Sequence, residues 1–261
     1  WRKLGWSIEE IDRALTTFIP VPFDDVASNL EKQPLKTALI YLAHLKELDE
    51  KLKLGKQARL KLLTLWSDIA TTGKNSLYAQ LFLNRSVLKS SPVFDHPLGK
   101  YLQYFDDVAR KYKPFRWDPL QPEDTVTGNV PLRSYLLALQ GALSLTAEDI
   151  GRILTDANKS LDTAELSLSN VSLLYRYGLL AKALKLSVRE LIALKQLSGL
   201  DPFKALHPDP LETLDQDYPF AQTLEFVKVA DEVKDSGLKI EDLEFLLQHR
   251  FDETGKYRPN R

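Results

Sequence analysis

The stretch Leu184-Lys185-Leu186-Ser187-Val188-Arg189-Glu190-Leu191 predicts a turn from one helix into the next, and the rest of the fold follows from it. Its second half is typical of a helix start, because the Ser187 hydroxyl can accept from the free amides of the first turn while Glu190 reaches back. The same phrase occurs three more times, as Leu4-Gly5-Trp6-Ser7-Ile8-Glu9-Glu10-Ile11, Leu143-Ser144-Leu145-Thr146-Ala147-Glu148-Asp149-Ile150 and Gly237-Leu238-Lys239-Ile240-Glu241-Asp242-Leu243. Such repetition predicts an array of helical hairpins.

The four copies differ in the residue that caps the helix. Three copies place a Ser or Thr three residues before an acid, which is the pattern of a capping box. In the fourth copy Lys239 stands where the hydroxyl residue is expected, so we predict a weaker cap there. Arrays of helical hairpins serve more often as scaffolds, shells or binding surfaces than as sites of chemistry.

Apolar residues recur at intervals of three and four along most of the chain, and this spacing predicts helices. The segments 34–54 and 57–70 form the clearest helical hairpin, whereas 24–31 predicts only two short turns. No segment alternates as a β-strand does, and 165–169 is too brief to count. We therefore predict an all-α fold, an irregular array of stacked helical hairpins. Its predicted helices are 7–19, 34–54, 57–70, 76–84, 98–113, 131–143, 147–158, 170–184, 188–198, 220–233 and 240–250.

One stretch departs from this helical pattern. Six of the 14 prolines lie between Pro92 and Pro131, with 98–113 as the one plausible helix among them. Long irregular segments in compact proteins are often functional. The predicted organisation is an N-terminal helical part (1–91), a Pro-rich loop or insertion (92–130) and a C-terminal helical part of the same body (131–261).

Composition excludes several classes of protein. The 261 residues include 44% apolar residues, enough for a core, and 35 basic against 36 acidic residues, which disfavours a dedicated nucleic-acid binder. The absence of Cys removes disulfides and thiolate chemistry. No apolar run approaches the roughly 20 residues of a membrane-spanning helix. Because the chain has no Met and starts at Trp1 within an apolar pattern, we expect a fragment of a longer protein, unless modified methionines are missing from the sequence.

No residue pattern supports catalysis, a cofactor or a metal. The four histidines, His44, His96, His207 and His249, are too far apart in sequence to form the close pairs that helices supply to zinc. Most adjacent acids fall in first helical turns, where the helix dipole favours negative charge. Phosphate-binding glycine loops and a GxSxG nucleophile are absent. We therefore predict no catalytic, cofactor-binding or metal-binding residues, no cofactor, and a protein that is not an enzyme; binding residues are not identified.

A basic and aromatic run at 110–117 offers a rival interpretation. Arg110-Lys111-Tyr112-Lys113-Pro114-Phe115-Arg116-Trp117 can follow a phosphate backbone while its rings stack on bases. It can equally be a helix end whose cations offset the dipole and whose rings anchor a loop. The near-neutral charge favours the helix end, and it weighs in the same way against a DNA-binding helix-turn-helix at 187–197.

Several phrases resemble the A subunit of bacterial Tc (ABC) insecticidal toxin complexes, a family that includes Salmonella plasmid virulence A proteins. The closest match runs from Leu186-Ser187-Val188-Arg189-Glu190-Leu191 to Ser198-Gly199-Leu200-Asp201-Pro202-Phe203. The resemblance keeps its order over most of the chain and is weakest at 96–129. Its other phrases are Leu77-Tyr78-Ala79-Gln80-Leu81-Phe82-Leu83-Asn84 with Val87-Leu88, Asn170-Val171-Ser172-Leu173-Leu174-Tyr175-Arg176-Tyr177 with Leu179-Leu180-Ala181-Lys182-Ala183-Leu184, and Phe245-Leu246-Leu247-Gln248-His249-Arg250 with Thr254-Gly255-Lys256-Tyr257.

This resemblance implies a piece of an α-helical outer shell in a secreted, extracellular virulence toxin. In that family five A subunits form a ring around a channel, and the shell encloses the channel until a pH change opens it. The channel then enters the host membrane and passes a toxic enzyme carried by the B and C subunits. The implied partners are thus other A protomers, the B and C subunits through the rest of the chain, and a host receptor of unknown identity. Nucleic acid is not among them, and the membrane is met only by other regions.

Two further hypotheses accompany this expectation. The chain could instead be a helical-repeat adaptor that binds a protein or nucleic acid through 96–129, with Lys111, Lys113, Arg116 and Trp117 as contacts. If it is a shell, His44 or His249 could contribute to opening, because the reference pKa of histidine lies near 6.5.

Overall fold

A computed structural model of the chain describes residues 5–18, 34–55, 59–73, 76–83, 92–95, 102, 104–106, 111–113, 131–204, 219–249 and 257. The predicted domain boundaries after residues 91 and 130 lie outside these ranges. So do the predicted short turns at 24–31 and most of the Pro-rich segment.

Helices account for most of the described residues, and the all-α prediction is confirmed. Three-residue links, 144–146, 185–187 and 237–239, join successive helices. The described part of the chain contains ten α-helices: α1 (Ile8–Phe18), α2 (Pro34–Leu52), α3 (Arg59–Leu62), α4 (Leu77–Phe82), α5 (Leu136–Leu143), α6 (Ala147–Asp156), α7 (Leu168–Leu184), α8 (Val188–Ser198), α9 (Pro219–Ser236) and α10 (Ile240–Gln248).

The predicted helix over 98–113 is wrong. A short antiparallel pair occupies part of this segment, with Tyr104 opposite Lys113 and Asp106 opposite Lys111. The two strands are β1 (Tyr104–Asp106) and β2 (Lys111–Lys113). Tyrosine and phenylalanine lose rotamer freedom in a helix and favour strands, and three of these six residues are aromatic. The interpretation of 110–117 as a helix end is therefore wrong at β2.

The predicted helix over 57–70 is much shorter in the structure. After α3 the chain makes a 3-10 turn at Leu63–Leu65 and leaves helical geometry at Trp66. The amide of Ile69 donates to Ser172 Oγ at 2.9 Å, so it does not continue a helical hydrogen-bond ladder. The predicted helix at 131–143 likewise begins as a 3-10 turn, Leu132–Tyr135, before α5. A long-range contact at Ile69 thus overrides local periodicity.

The chain folds into two compact units. The first comprises residues 1–66 and 180–261, and the second comprises residues 67–179, so the division falls within α7. In the first unit α1 packs on α2 and α3, α9 packs on α2 and α8, and α8 packs on α10. In the second unit α4 packs on α5.

An aromatic cluster forms the centre of the first unit. Phe220 of α9 is fully buried, and its ring centroid lies 4.2 Å from that of Trp66. Phe18 of α1 and Tyr41 of α2 approach the same ring at 5.6 Å and 5.3 Å. Tilted and edge-on pairs at these separations are the favourable arrangements for aromatic rings. One side chain therefore ties α9 to α1, α2 and the turn after α3.

A largely buried ion pair in the same unit lies beside the first copy of the repeated phrase. Arg59 Nε donates to Asp49 Oδ2 at 2.7 Å, and the two side chains are only 15% and 10% exposed. Arg59 Nη1 also donates to the carbonyl of Gly5 at 3.0 Å, and the guanidinium lies 5.8 Å from the centroid of the Trp6 ring. One arginine thus holds the turn before α1 against α2.

The second unit has its own aromatic core. Phe82 and Phe94 stack with centroids 4.6 Å apart, and Tyr135 meets Phe94 edge-on. The Tyr78 hydroxyl donates to the carbonyl of Phe94 at 3.0 Å. Burial, reinforced by the Asp95 carboxylate, raises the pKa of Tyr78. This phenol therefore stays protonated and acts as a structural donor.

Candidate functional site

All four copies of the repeated phrase share a left-handed backbone residue before the helix cap. In each copy the residue two positions before the cap residue lies in the left-handed region, with φ of 68° at Gly5, 55° at Ser144, 61° at Lys185 and 73° at Gly237. At Ser144, Lys185 and Gly237 this left-handed residue follows the end of one helix, and an extended cap residue two positions later starts the next. The sequence did not reveal this common backbone conformation, because only two of the four positions are glycine.

The predicted capping boxes of the first three copies are confirmed. Ser187 Oγ accepts from the amide of Glu190 at 3.2 Å, and Glu190 Oε2 accepts from the amide of Ser187 at 2.8 Å. The reciprocal bonds are equally present between Thr146 and Asp149 and between Ser7 and Glu10. These acids hold helix starts together, as their position in the first turn predicts.

The fourth copy has only half of the box. Asp242 Oδ2 accepts from the amide of Lys239 at 3.0 Å. The ammonium of Lys239 has no lone pair and cannot accept from the first turn of α10. The amide of Asp242 instead donates to the carbonyl of Lys239 at 3.0 Å. The prediction of a weaker cap at this helix is consistent with this arrangement.

Restoring the missing hydroxyl should stabilise the protein. We expect Lys239→Ser to raise the free energy of unfolding by about 0.5–1 kcal/mol, because serine can accept from the free amides of α10. Ser187→Ala, which removes a cap that is present, should lower it by about 1 kcal/mol. Urea denaturation followed by circular dichroism measures both changes. A loss of stability in Lys239→Ser would contradict this account of the fourth copy.

His44 is the histidine with a distinctive environment among those described. Its ring stacks on Phe220 with centroids 5.8 Å apart, and its Nδ1 lies 4.0 Å from a carboxylate oxygen of Glu47. Burial lowers the pKa of His44, while Glu47 opposes the shift. His249 is exposed and ends α10 in the left-handed conformation. His96 and His207 lie outside the described residues.

The direction of the His44 shift predicts how stability responds to pH. Its folded pKa lies below the unfolded value of 6.5, so the folded state binds fewer protons. The contribution is complete above 6.5 and is lost as the pH falls through the unfolded pKa toward the folded one. We expect His44→Gln to reduce the loss of stability between pH 7.5 and pH 5, measured by urea denaturation. His249→Gln is the control, and an unchanged pH dependence in His44→Gln would contradict the assignment.

A polar cluster lies on the side of α7 in the second unit. The buried hydroxyl of Ser172 accepts from Ile69 and donates to the carbonyl of Leu168 at 2.6 Å. Arg176 Nη2 donates to the carbonyl of Ser67 at 3.2 Å and lies 4.0 Å from Asp68 Oδ1. Burial raises the pKa of Asp68, and the charge of Arg176 opposes that shift. These hydrogen bonds hold the backbone at Ser67 and Ile69 against α7, which is a packing role.

The described residues contain no group of three His, Asp or Glu side chains placed to hold a metal ion. The adjacent acids Asp24-Asp25 and Glu123-Asp124 lie outside the described part, and of Asp106-Asp107 only the backbone of Asp106 is described. Lys111 and Lys113 lie in β2, whereas Arg116 and Trp117 fall outside the described ranges.

Comparisons with models of protein families, with curated proteins and with solved structures found no match. Among the described helices, none combines the length and apolar character needed to cross a membrane.

Proposed function

We propose that this chain is a non-catalytic part of the α-helical outer shell of a Tc-type toxin A subunit. In that role it contributes to the assembly and enclosure of a channel that delivers a toxic enzyme into host cells. The proposal includes extracellular localisation and the family's partners: other A protomers, B and C subunits, and a host receptor.

The observation that carries the proposal is the ordered set of family-like phrases running from Leu77 to Tyr257. The all-α fold supports it, because helices joined by three-residue links suit a wall built from short, tightly linked helices. The use of first-turn acids as helix caps supports it too, since these carboxylates are engaged in holding helix starts.

The test is the complete gene product that contains this sequence, purified and imaged by negative-stain electron microscopy. We expect a five-fold ring with a central channel, and a reading frame several times longer that encodes a channel-forming region. An antibody fragment raised against this chain should label the outer wall of the ring. A short standalone protein that remains monomeric would overturn the proposal.

The pH hypothesis is tested in the same assembled complex. With His44 and His249 both replaced by Gln, we expect the shell to open at a changed pH, measured by insertion into liposomes as the pH is varied. The two single variants identify which histidine is responsible. An opening pH unchanged in the double variant would refute a role for either residue.

The adaptor hypothesis remains the alternative, and most of its proposed contact segment lies outside the described residues. It predicts salt-dependent binding to DNA or RNA that is lost when Lys111, Lys113, Arg116 and Trp117 are replaced. Binding of this kind by the purified chain would favour the adaptor over the shell.

A further inference from the structure

A cavity lies in the first unit where two copies of the repeated phrase face each other. Its volume is about 260 Å³, and it is bounded by the links before α8 and before α10. The interior is aliphatic, with Leu194 and Ile240 almost completely buried and Ala230 8% exposed. Pockets for drug-sized ligands range from about 300 to 1,000 Å³, so this one suits a smaller molecule.

Three lysines border this aliphatic space. Lys185, Lys234 and Lys239 all line the cavity, and none forms an ion pair within the described part of the chain. Glu190 is the one acid that lines it, and its carboxylate accepts from the amide and hydroxyl of Ser187. The charged groups bordering the cavity therefore carry a net charge of about +2, from three ammonium groups and one carboxylate.

Helix dipoles do not remove this positive charge. The helices α7 and α9 end at the cavity, whereas α8 and α10 begin there. Because a helix carries about half a positive charge at its start and half a negative charge at its end, the two pairs offset each other. The lysine charges are thus left to attract an anion, while burial of an apolar tail against the aliphatic lining contributes about 25 cal/mol per Å².

We propose that this cavity binds a small amphiphilic anion, a free aliphatic carboxylate of medium chain length. The carboxylate lies among Lys185, Lys234 and Lys239, and the hydrocarbon tail packs against Leu194, Ala230 and Ile240. The inference rests on the cavity and its charges alone, so it stands or falls independently of the shell proposal.

The test uses octanoate as the probe and isothermal titration calorimetry on the full 261-residue chain. We expect saturable binding at one site per chain, and weaker binding of 1-octanol, which has the tail without the charge. Replacing Lys185, Lys234 and Lys239 together by Gln should weaken octanoate binding at least tenfold. The site lysines are themselves exposed, so the matched control replaces three other exposed lysines, Lys51, Lys53 and Lys182, by Gln. This variant has the same net charge as the first and should alter binding less than twofold.

A second variant fills the cavity with a larger side chain at Ala230, which lines it. Ala230→Leu should abolish binding of octanoate and octanol alike, and circular dichroism verifies that this variant remains folded. No saturable binding by the unmodified chain would overturn the proposal. The proposal would also be overturned if the two triple variants bound octanoate with equal affinity. Tighter binding of an acidic leucine-containing peptide than of octanoate would overturn it too.

Discussion

Replacing Phe220 by Ala is expected to lower the free energy of unfolding by about 3–5 kcal/mol. The ring is fully buried and contacts Phe18, Tyr41 and Trp66 from three other segments of the first unit. Alanine would leave a cavity that none of these rings can fill without leaving its rotamer. The loss would be a large share of the 5–15 kcal/mol that stabilises a typical domain.

Urea denaturation followed by near-ultraviolet circular dichroism measures this change, because that signal reports the packing of aromatic rings. Leu247→Ala is the matched control in the same unit, since Leu247 is 67% exposed and should change stability by less than about 0.5 kcal/mol. Equal stabilities of the two variants would show that Phe220 does not organise this core.

Replacing Asp49 by Asn is expected to lower the free energy of unfolding by about 3 kcal/mol. The substitution keeps the shape of the side chain but removes the negative charge 2.7 Å from Arg59 Nε. The guanidinium would remain largely buried beside an uncharged amide, and breaking a buried pair by removing one partner costs far more than breaking an exposed one. The turn at Gly5 and Trp6 should loosen first, because Arg59 also holds that turn.

The control for this prediction is Glu50→Gln on the same helix. Glu50 is 67% exposed and lies 3.6 Å from Lys46, so its loss should cost less than about 0.5 kcal/mol. Urea denaturation measures both variants, and hydrogen exchange at the amides of α1 reports the predicted loosening. A loss no larger in Asp49→Asn than in Glu50→Gln would contradict the buried ion pair.

The helix starts could be predicted from the sequence because their chemistry is local. A Ser or Thr and an acid three residues later are within reach of each other in a first helical turn. The same reasoning placed α8 at its observed bounds, Val188–Ser198, and anticipated the incomplete cap at Lys239. Ser76 also caps α4 by the same local chemistry, accepting from the amide of Ala79 at 3.2 Å.

The errors arose where a distant residue decides the local backbone. Ile69 leaves the helical ladder because Ser172, 103 positions away, takes its amide. The residues around Tyr104 pair with Lys113 as strands although their apolar spacing also suits a helix. Periodicity describes which side chains share a face of one element, and it contains no information about a hydrogen-bond partner elsewhere in the chain.

By itself the sequence determined that this protein is helical, where the four helices of the repeated phrase begin, and that the first-turn acids of those helices are caps. These features depend on atoms within four residues of one another. Only the tertiary structure decided that Arg59 holds the turn at Gly5 and that His44 stacks on Phe220. It also decided that the links before α8 and α10 border one aliphatic cavity. Each of these depends on residues brought together from separate segments, where packing and desolvation select the partner.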